Sequence, residues 1–270
     1  MRKINILLQI FTIALLMSCN REMPESGVSA QLANDRAVNL SDIRYSLSFD
    51  LTAEKGNVSS RDTIRFSAAG RKDVILDFKA PRENITSIEV NGQPIDAHIE
   101  NEHLIIPHHY INKGDNAIAI SFIAGEQSLN RREEFLFTLL VPDRARTLFP
   151  CFDQPDMKAV FSLSLNVPEN WVSVSNTEVC CETNLETSTK YRFAPTSPLS
   201  TYLFSFVAGR FEQIESERNG RTVTMYHRET DSDKVAQSVE IFNLVFDSLD
   251  WLEEYTGIPY PFEKYDFVVL

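Results

Sequence analysis

The sequence predicts a mainly β protein: an antiparallel β-sandwich domain followed by an incomplete α/β segment that consists of one long helix and one strand. Three observations predict this fold class. Apolar and polar residues alternate over much of residues 43–226, turn-forming residues separate the alternating runs, and the apolar period becomes helical near residue 235. The length of 270 residues fits two domains, or one domain and part of a second.

The alternation is clearest in two stretches, which the sequence predicts to be half-buried antiparallel strands. Their apolar residues are Ile43, Tyr45, Leu47, Phe49 and Leu51 in the first stretch and Ala159, Phe161, Leu163, Leu165 and Val167 in the second. Successive side chains of a strand point to opposite faces of its sheet, so one face of each strand is expected to be buried. Asn91-Gly92 and Asn219-Gly220 predict tight turns between other strands.

A helix is predicted where apolar residues recur every three or four positions, from Val235 to Leu252. Asp231 or Ser232 can cap its first turn, and Gly257, which precedes a proline by two positions, can end it. The apolar run at residues 265–270 predicts a buried strand. Because one helix and one strand cannot close a hydrophobic core, we expect this chain to be the front part of a longer protein, or a truncated reading frame.

Residues 1–18 have the pattern of an export signal, in which a cationic start precedes a mostly apolar stretch. The end of this stretch, Leu16-Met17-Ser18-Cys19, resembles the lipobox of bacterial lipoproteins, and this resemblance implies that Cys19 carries lipid. An ordinary secretory signal with a chance cysteine is the alternative. We therefore expect a signal peptide at 1–18, a polar tether at 19–40, and a lipid-anchored protein of the cell envelope, on its periplasmic or outer-surface side.

The charge of the chain argues against one class of partner. The sequence has 26 Lys and Arg residues against 38 Asp and Glu residues, a net charge of -12. A nucleic-acid backbone is repelled by such a chain unless its cations gather on one face, and the sequence shows no such gathering. Nucleic acid is therefore not an expected partner.

The cysteines and histidines predict no metal site and no disulfide framework. Apart from Cys19, the chain has three cysteines: Cys151, Cys180 and Cys181. An odd number that includes an adjacent pair does not indicate a disulfide framework, and we expect these cysteines to be buried. His108-His109 is interpreted as a polar turn, because neighbouring side chains of an extended chain point in opposite directions. The HExxH zinc motif, the serine nucleophile elbow, the P-loop and the dinucleotide-binding glycines are all absent from these residues. The residues alone thus predict an exported acidic β domain with no catalytic and no metal-binding residues.

One segment closely resembles a known family. Arg146-Thr147-Leu148-Phe149-Pro150-Cys151-Phe152-Asp153-Gln154-Pro155 is similar to the FPCFDEP segment of the M1 family of zinc aminopeptidases. Residues 200–212 resemble the family's STYL…FxxGxF strand, and residues 255–266 resemble the helix-to-strand link that opens its thermolysin-like catalytic domain. The resemblance implies a saddle-like β domain at 41–220, the truncated start of a catalytic domain at 221–270, and a structural role for the signature residues Arg146, Phe149, Pro150, Asp153 and Pro155.

The same resemblance implies a function for a complete relative. Such a protein would use zinc to release N-terminal residues from peptides. The family's HExxH motif, downstream Glu ligand, oxyanion-stabilising Tyr and GxMEN loop are not among these 270 residues, so the chain is expected to be inactive alone. Leu139 stands where the family often has a Gln that binds the substrate's amine. The alternatives are a non-catalytic β-domain lipoprotein used for binding or assembly at the cell envelope, and an adhesin-like sandwich that shares only the fold.

Overall fold

The computed structural model describes residues 24–262 and 264–270. The expected signal peptide and the expected lipid-attachment residue Cys19 lie outside the described residues. Within them the fold is mainly β, with antiparallel sheets followed by one long helix and a last strand, which confirms the predicted fold class.

The helices and strands follow one another in a simple order. The helices are α1 Ala30–Asn39, α2 Ser232–Val235 and α3 Ser238–Thr256. The strands are β1 Leu40–Asp50, β2 Ser59–Ala68, β3 Val74–Asp77, β4 Ile85–Val90, β5 Gln93–Ile95, β6 Ile99–Glu100, β7 His103–Ile106, β8 Gly114–Ile123, β9 Leu129–Arg131, β10 Phe135–Thr138, β11 Val160–Pro168, β12 Val172–Ser175, β13 Val179–Asn184, β14 Ser188–Phe193, β15 Phe206–Gly209, β16 Glu212–Arg218, β17 Arg221–His227 and β18 Tyr265–Val268.

The largest sheet, called the main sheet below, has eight strands in the order β13-β14-β11-β1-β2-β8-β4-β5. Its neighbours are antiparallel except for β1 and β11, which run parallel. A second sheet has the order β12-β15-β10-β9, and a small sheet has the order β3-β7-β6. Phe49 of β1 meets Phe206 of β15 with ring centroids 5.2 Å apart, and the buried side chains of the three sheets form one continuous hydrophobic core.

A helix forms inside the segment that the sequence assigns to a polar tether. Ser29 caps α1 by accepting a hydrogen bond from the backbone N–H of Leu32 at 3.2 Å. Leu32 and Arg36 are its buried residues. Because Leu32 is its main apolar anchor, the helix has no apolar stripe that the periodicity of the sequence could reveal, and its docking depends on the buried Arg36 described below.

Residues from 212 onwards build the C-terminal segment, in which β16-β17-β18 form a three-stranded sheet beneath α3. Phe242 and Phe246 of α3 pack on Val223 and Met225 of β17. The predicted single helix is divided into α2 and α3 at residues 236–237, which keep right-handed helical dihedral angles, so the apolar period runs through both helices. Among the described residues, no helix combines the length and the apolar character needed to cross a membrane.

The two predicted helix boundaries have a clear structural basis. Asp231 caps α2 by accepting from the N–H of Asp233 at 3.0 Å. Gly257 ends α3 with a left-handed backbone, φ 66°, a conformation that glycine adopts without a steric penalty.

The expectation that all three cysteines are buried is wrong for two of them. Cys151 is buried, whereas Cys180 is exposed and Cys181 is partly exposed. Both lie on β13, which is an edge strand of the main sheet. None of the six residues of this strand is buried. Apolar periodicity does not show which strand of a sheet is at its edge.

Candidate functional site

The signature segment at residues 146–155 lies against the end of β3. Cys151 and Asp77 exchange backbone hydrogen bonds of 3.0 Å and 2.7 Å. Phe149 and Phe152 are fully buried, and the backbone N–H of Phe152 donates to the hydroxyl of Tyr45 at 2.9 Å. The segment is therefore held in the core by its aromatic side chains and by its own backbone.

Asp153 fastens the signature segment to two other parts of the chain. Its carboxylate accepts hydrogen bonds from the backbone N–H of Arg146 at 3.1 Å and from the hydroxyl of Thr201 at 2.7 Å. The guanidinium of Arg146 pairs instead with Asp143, at 2.8 Å. Burial raises the pKa of the Asp153 carboxyl above its usual value, and the nearby charge of Asp77 raises it further, while the two hydrogen bonds oppose the shift.

The two prolines of the segment differ in their surroundings. Pro150 is buried beside Phe149, whereas Pro155 is exposed and its carbonyl accepts a hydrogen bond from the hydroxyl of Ser200 at 2.5 Å. Segment 146–155 thus contacts both residues 200–201, which belong to the second resemblance to the M1 family, and the end of β3.

Asp77 is the centre of a buried ionic cluster. Arg36 of α1 binds both of its carboxylate oxygens, at 2.7 Å and 2.8 Å, and the backbone N–H of Asp153 donates to the same carboxylate at 2.8 Å. The guanidinium of Arg36 also donates to the carbonyl of Ile75. Burial raises the pKa of Asp77, but the hydrogen bond from His103 and the charge of Arg36 outweigh it, so the pKa lies below its usual value.

His103 of β7 joins this cluster to the start of the described chain. Its Nδ1 lies 2.9 Å from a carboxylate oxygen of Asp77, and its Nε2 lies 2.9 Å from the backbone carbonyl of Glu25. Both ring nitrogens therefore lie 2.9 Å from an oxygen atom, an arrangement that favours the doubly protonated, cationic ring. Burial lowers the pKa of His103, but the interactions with Asp77 and with the Glu25 carbonyl raise it above its usual value.

The cluster is suited to structure rather than to chemistry. Each of its charges is engaged with another, and the side chains of Arg36, Asp77 and His103 are buried. The separations along the chain explain why the sequence does not reveal it, because Arg36 and Asp77 are 41 residues apart and no local pattern links them. The one local signal is an Asp that ends the apolar strand β3.

Leu139 lies in a loop that leaves β10. Its side chain is 49% exposed, and Val141 in the same loop is 52% exposed, whereas Leu140 between them is buried. The backbone N–H of Leu139 donates to the carbonyl of Ser128 at 3.0 Å, and the Val141-Pro142 bond is cis. The loop thus presents two apolar side chains to solvent, and neither of them can accept a hydrogen bond from an ammonium group.

The described residues do not fit a zinc ion. No three His, Cys, Asp or Glu side chains in the described part of the chain lie close enough to hold a metal ion. His108 pairs with Asp73 at 3.0 Å, and the ring of His109 packs on Tyr110 with centroids 4.1 Å apart. A catalytic zinc needs three protein ligands on one side of an open position, and the described residues do not bring three such ligands together.

Comparison with known proteins identifies the family. Residues 41–203, more than half of the chain, match the Peptidase M1 N-terminal domain. The chain belongs to this family. It is 28% identical to aminopeptidase N of Streptomyces lividans over 264 residues, which cover 90% of this chain and 30% of that protein.

Shorter stretches match further M1 aminopeptidases. Identity is 39% over 128 residues with aminopeptidase M1-B of Oryza sativa subsp. japonica, covering 47% of this chain and 14% of that protein. It is 30% over 131 residues with human glutamyl aminopeptidase, covering 48% of this chain and 13% of that protein. The chain thus spans less than a third of the length of these relatives, and it is an M1 aminopeptidase N-terminal region.

Proposed function

We propose that this chain is the N-terminal portion of an exported, lipid-anchored M1 metallo-aminopeptidase, whose complete form releases N-terminal residues from peptides with a zinc-activated water. The observation that carries the proposal is the continuous similarity to aminopeptidase N of Streptomyces lividans, which covers 90% of the chain. That similarity extends past the matched domain, which ends at residue 203, into the C-terminal segment. We expect the chain by itself to hold no catalytic zinc and to be inactive, because the HExxH and GxMEN motifs are not among its 270 residues.

The surface of α3 supports this proposal. One side of the helix packs on the C-terminal sheet, but Leu244, Trp251 and Tyr255 are 68%, 59% and 75% exposed. Ile258 and Phe262, which follow the helix, are also exposed. Apolar surface of this extent is characteristic of a face that packs against further protein. In the proposed enzyme that protein is the rest of the catalytic domain.

The enzyme proposal is tested by the gene and by the purified chain. We expect the reading frame after codon 270 to continue and to encode GxMEN and HExxH motifs. We expect purified residues 20–270 to contain no stoichiometric zinc, measured by atomic absorption, and to release no chromogenic amine from amino-acid amides. A stop codon at that point, with no neighbouring frame that encodes the motifs, would refute the peptidase proposal. Stoichiometric zinc in the short chain would refute the expected absence of a zinc site. Release of amine by the short chain would refute its inactivity.

The lipid anchor is tested by a cysteine variant. Cys19→Ala should move the protein from the membrane fraction to the soluble fraction, because a thioether-linked lipid requires the Cys19 sulfur. Cys180→Ala is the matched control, since Cys180 is exposed on β13 and should leave membrane retention unchanged. Immunoblots of separated fractions measure both. Membrane retention of Cys19→Ala would contradict the anchor.

A further inference from the structure

The outer face of the main sheet differs from the rest of this acidic protein. Alternate residues of β1 and β2 point away from the core and, apart from the acids Asp42 and Asp50 near the two ends of β1, they are cationic or small and polar. These outward residues are Arg44, Ser46 and Ser48 on β1 and Arg61, Thr63 and Arg65 on β2. Small side chains also face outward on the strands to either side. They are Ala117, Ala119 and Ser121 on β8 and Ser162 and Ser164 on β11. This surface is called the serine–arginine face below.

Two of its arginines stand directly opposite each other. Arg44 and Arg65 are register partners on the antiparallel strands β1 and β2. Side chains at such positions begin about 5 Å apart, and like charges there are destabilising. Neither guanidinium forms an ion pair or a side-chain hydrogen bond with any described residue. An anion that binds both guanidinium groups would relieve their repulsion.

Further cations extend this face. Arg61 lies four residues before Arg65 on the same strand, a separation of about 13 Å along β2. Arg192 and Lys190 of β14 are register partners of Ser164 and Asn166 of β11. No described carboxylate forms an ion pair with any of these five cations. Three carboxylates also lie on this face: Asp50 of β1, Glu89 of β4, which is the register partner of Ala119, and Asp115 of β8, which is the register partner of Ser67. The face still gathers five cations without an ion pair in a chain whose net charge is -12, although residues 44–192 are spread widely along the sequence.

The chemistry of the face selects one kind of polyanion. Strands β1, β2, β8, β11 and β14 carry none of the large exposed hydrophobic side chains found among the described residues, so nothing on them can insert into a lipid interface. The outward residues include no aromatic ring on which a nucleobase could stack. Rows of serine and threonine hydroxyls can exchange hydrogen bonds with sugar hydroxyls, and guanidinium groups bind carboxylates or sulfates in bidentate fashion.

We propose that the serine–arginine face is a docking surface for an acidic polysaccharide, with Arg44 and Arg65 sharing one acidic group and Arg61 binding a second. The polymer lies flat across the central strands of the main sheet. This function is separate from peptide hydrolysis, because it requires neither zinc nor the catalytic motifs.

The test uses the purified protein and immobilised polygalacturonate, with neutral dextran as the uncharged polymer. Binding to polygalacturonate, measured by biolayer interferometry, should weaken as salt rises, and dextran should not bind. The variant R44Q/R61Q/R65Q should bind at least about tenfold more weakly, because three exposed ionic contacts of ordinary strength multiply to that factor.

A charge-matched control variant separates a specific face from overall charge. R82Q/K113Q/R132Q removes three exposed cations that lie outside the face and should bind within about twofold of the unmodified protein. The melting temperature of R44Q/R61Q/R65Q should be unchanged or higher, since the facing guanidinium groups repel each other. No binding of polygalacturonate, equal losses in both variants, or stronger binding to duplex DNA or to phosphatidylglycerol vesicles would each overturn the proposal.

Discussion

At the scale of single residues, the pKa values of two buried aspartates, Asp62 and Asp77, are shifted in opposite directions. Burial raises the pKa of both Asp62 and Asp77, but Asp77 has His103 and Arg36 as partners and its pKa is lowered overall. Asp62 has no cationic partner among the described residues, and burial raises its pKa well above the usual value despite nearby backbone groups of Ser46 and Thr63. A buried carboxyl thus ionises only where the fold supplies a compensating charge.

The ionic cluster stabilises the protein only within a limited range of pH. Asp77 contributes stability above its usual pKa, and this is lost as the pH falls through its lowered pKa. His103 contributes stability below its usual pKa, and this is lost as the pH rises through its raised pKa. The cluster is therefore most stabilising between the usual pKa of an aspartate carboxyl and the usual pKa of a histidine ring, where Asp77 is ionised and His103 is cationic.

Asp62→Asn should stabilise the protein at pH 7 by at least about 1 kcal/mol, because the native carboxyl must hold a proton that the unfolded chain releases. The raised pKa of Asp62 favours the folded state below the unfolded pKa, and this advantage disappears as the pH rises. The difference between the two proteins should therefore grow from pH 4 to pH 7 in urea unfolding experiments. An equal difference at both values would show that Asp62 is ionised in the core.

At the scale of elements, α1 is held by charge more than by apolar packing. Its buried residues are Leu32 and Arg36, whose guanidinium also lies 5.6 Å from the centre of the Phe152 ring, and the carbonyl of Ala33 accepts a hydrogen bond from the side chain of Gln154 at 3.2 Å. Through Asp77 the same guanidinium is connected to the backbone of Asp153. The signature segment and α1 therefore share one anchoring carboxylate, so the loss of Arg36 should affect both.

Arg36→Met should destabilise the protein by about 3 kcal/mol, because it leaves Asp77 buried without its bidentate partner. Arg36→Lys should recover only part of this loss, since an ammonium group cannot reproduce the paired hydrogen bonds. The control is Ser29→Ala, which removes the cap of α1 but no core contact and should cost about 1 kcal/mol. Urea unfolding measures all three. An Arg36→Met cost no greater than that of Ser29→Ala would show that the ion pair does not hold the helix.

At the scale of the whole molecule, the β domain and the C-terminal segment differ in how completely they bury their apolar residues. The three sheets of the β domain enclose one large core, whereas the core of the C-terminal segment contains four fully buried residues, Val223, Met225, Phe242 and Phe246. Leu244, Trp251 and Tyr255 remain exposed on α3, and the rings of the last two stack at 5.0 Å. Apolar area of this size promotes association with other molecules.

The purified chain should therefore self-associate, and Leu244→Glu/Trp251→Glu should reduce this association at equal protein concentration. Both residues lie on the exposed side of α3, about two helical turns apart. Val38→Glu/Leu185→Glu is the matched control, because it adds the same charge at exposed apolar positions elsewhere. Sedimentation velocity measures the oligomer distribution. Equal effects of the two double variants would attribute the association to net charge alone.

Local patterns along the chain are sufficient to predict the fold class and the family. Alternation marks strands such as β1 and β11 because a half-buried strand must alternate its side chains, and the change of period marks α3 because a helix buries one stripe. Asp231 and Gly257 mark helix boundaries because capping is local chemistry between neighbouring residues. The signature residues identify the M1 family because their order along the chain is itself the signal.

The contacts between distant residues become visible only in the folded protein. The helix α1, the exposure of Cys180 and Cys181 on an edge strand, and the cluster of Arg36, Asp77 and His103 have no local pattern in the sequence. The pairing of Arg44 with Arg65 likewise depends on the register of two strands. Local periodicity records which side of an element is buried, whereas ionic partners and sheet edges follow from strand order and register, which contacts between distant parts of the chain establish.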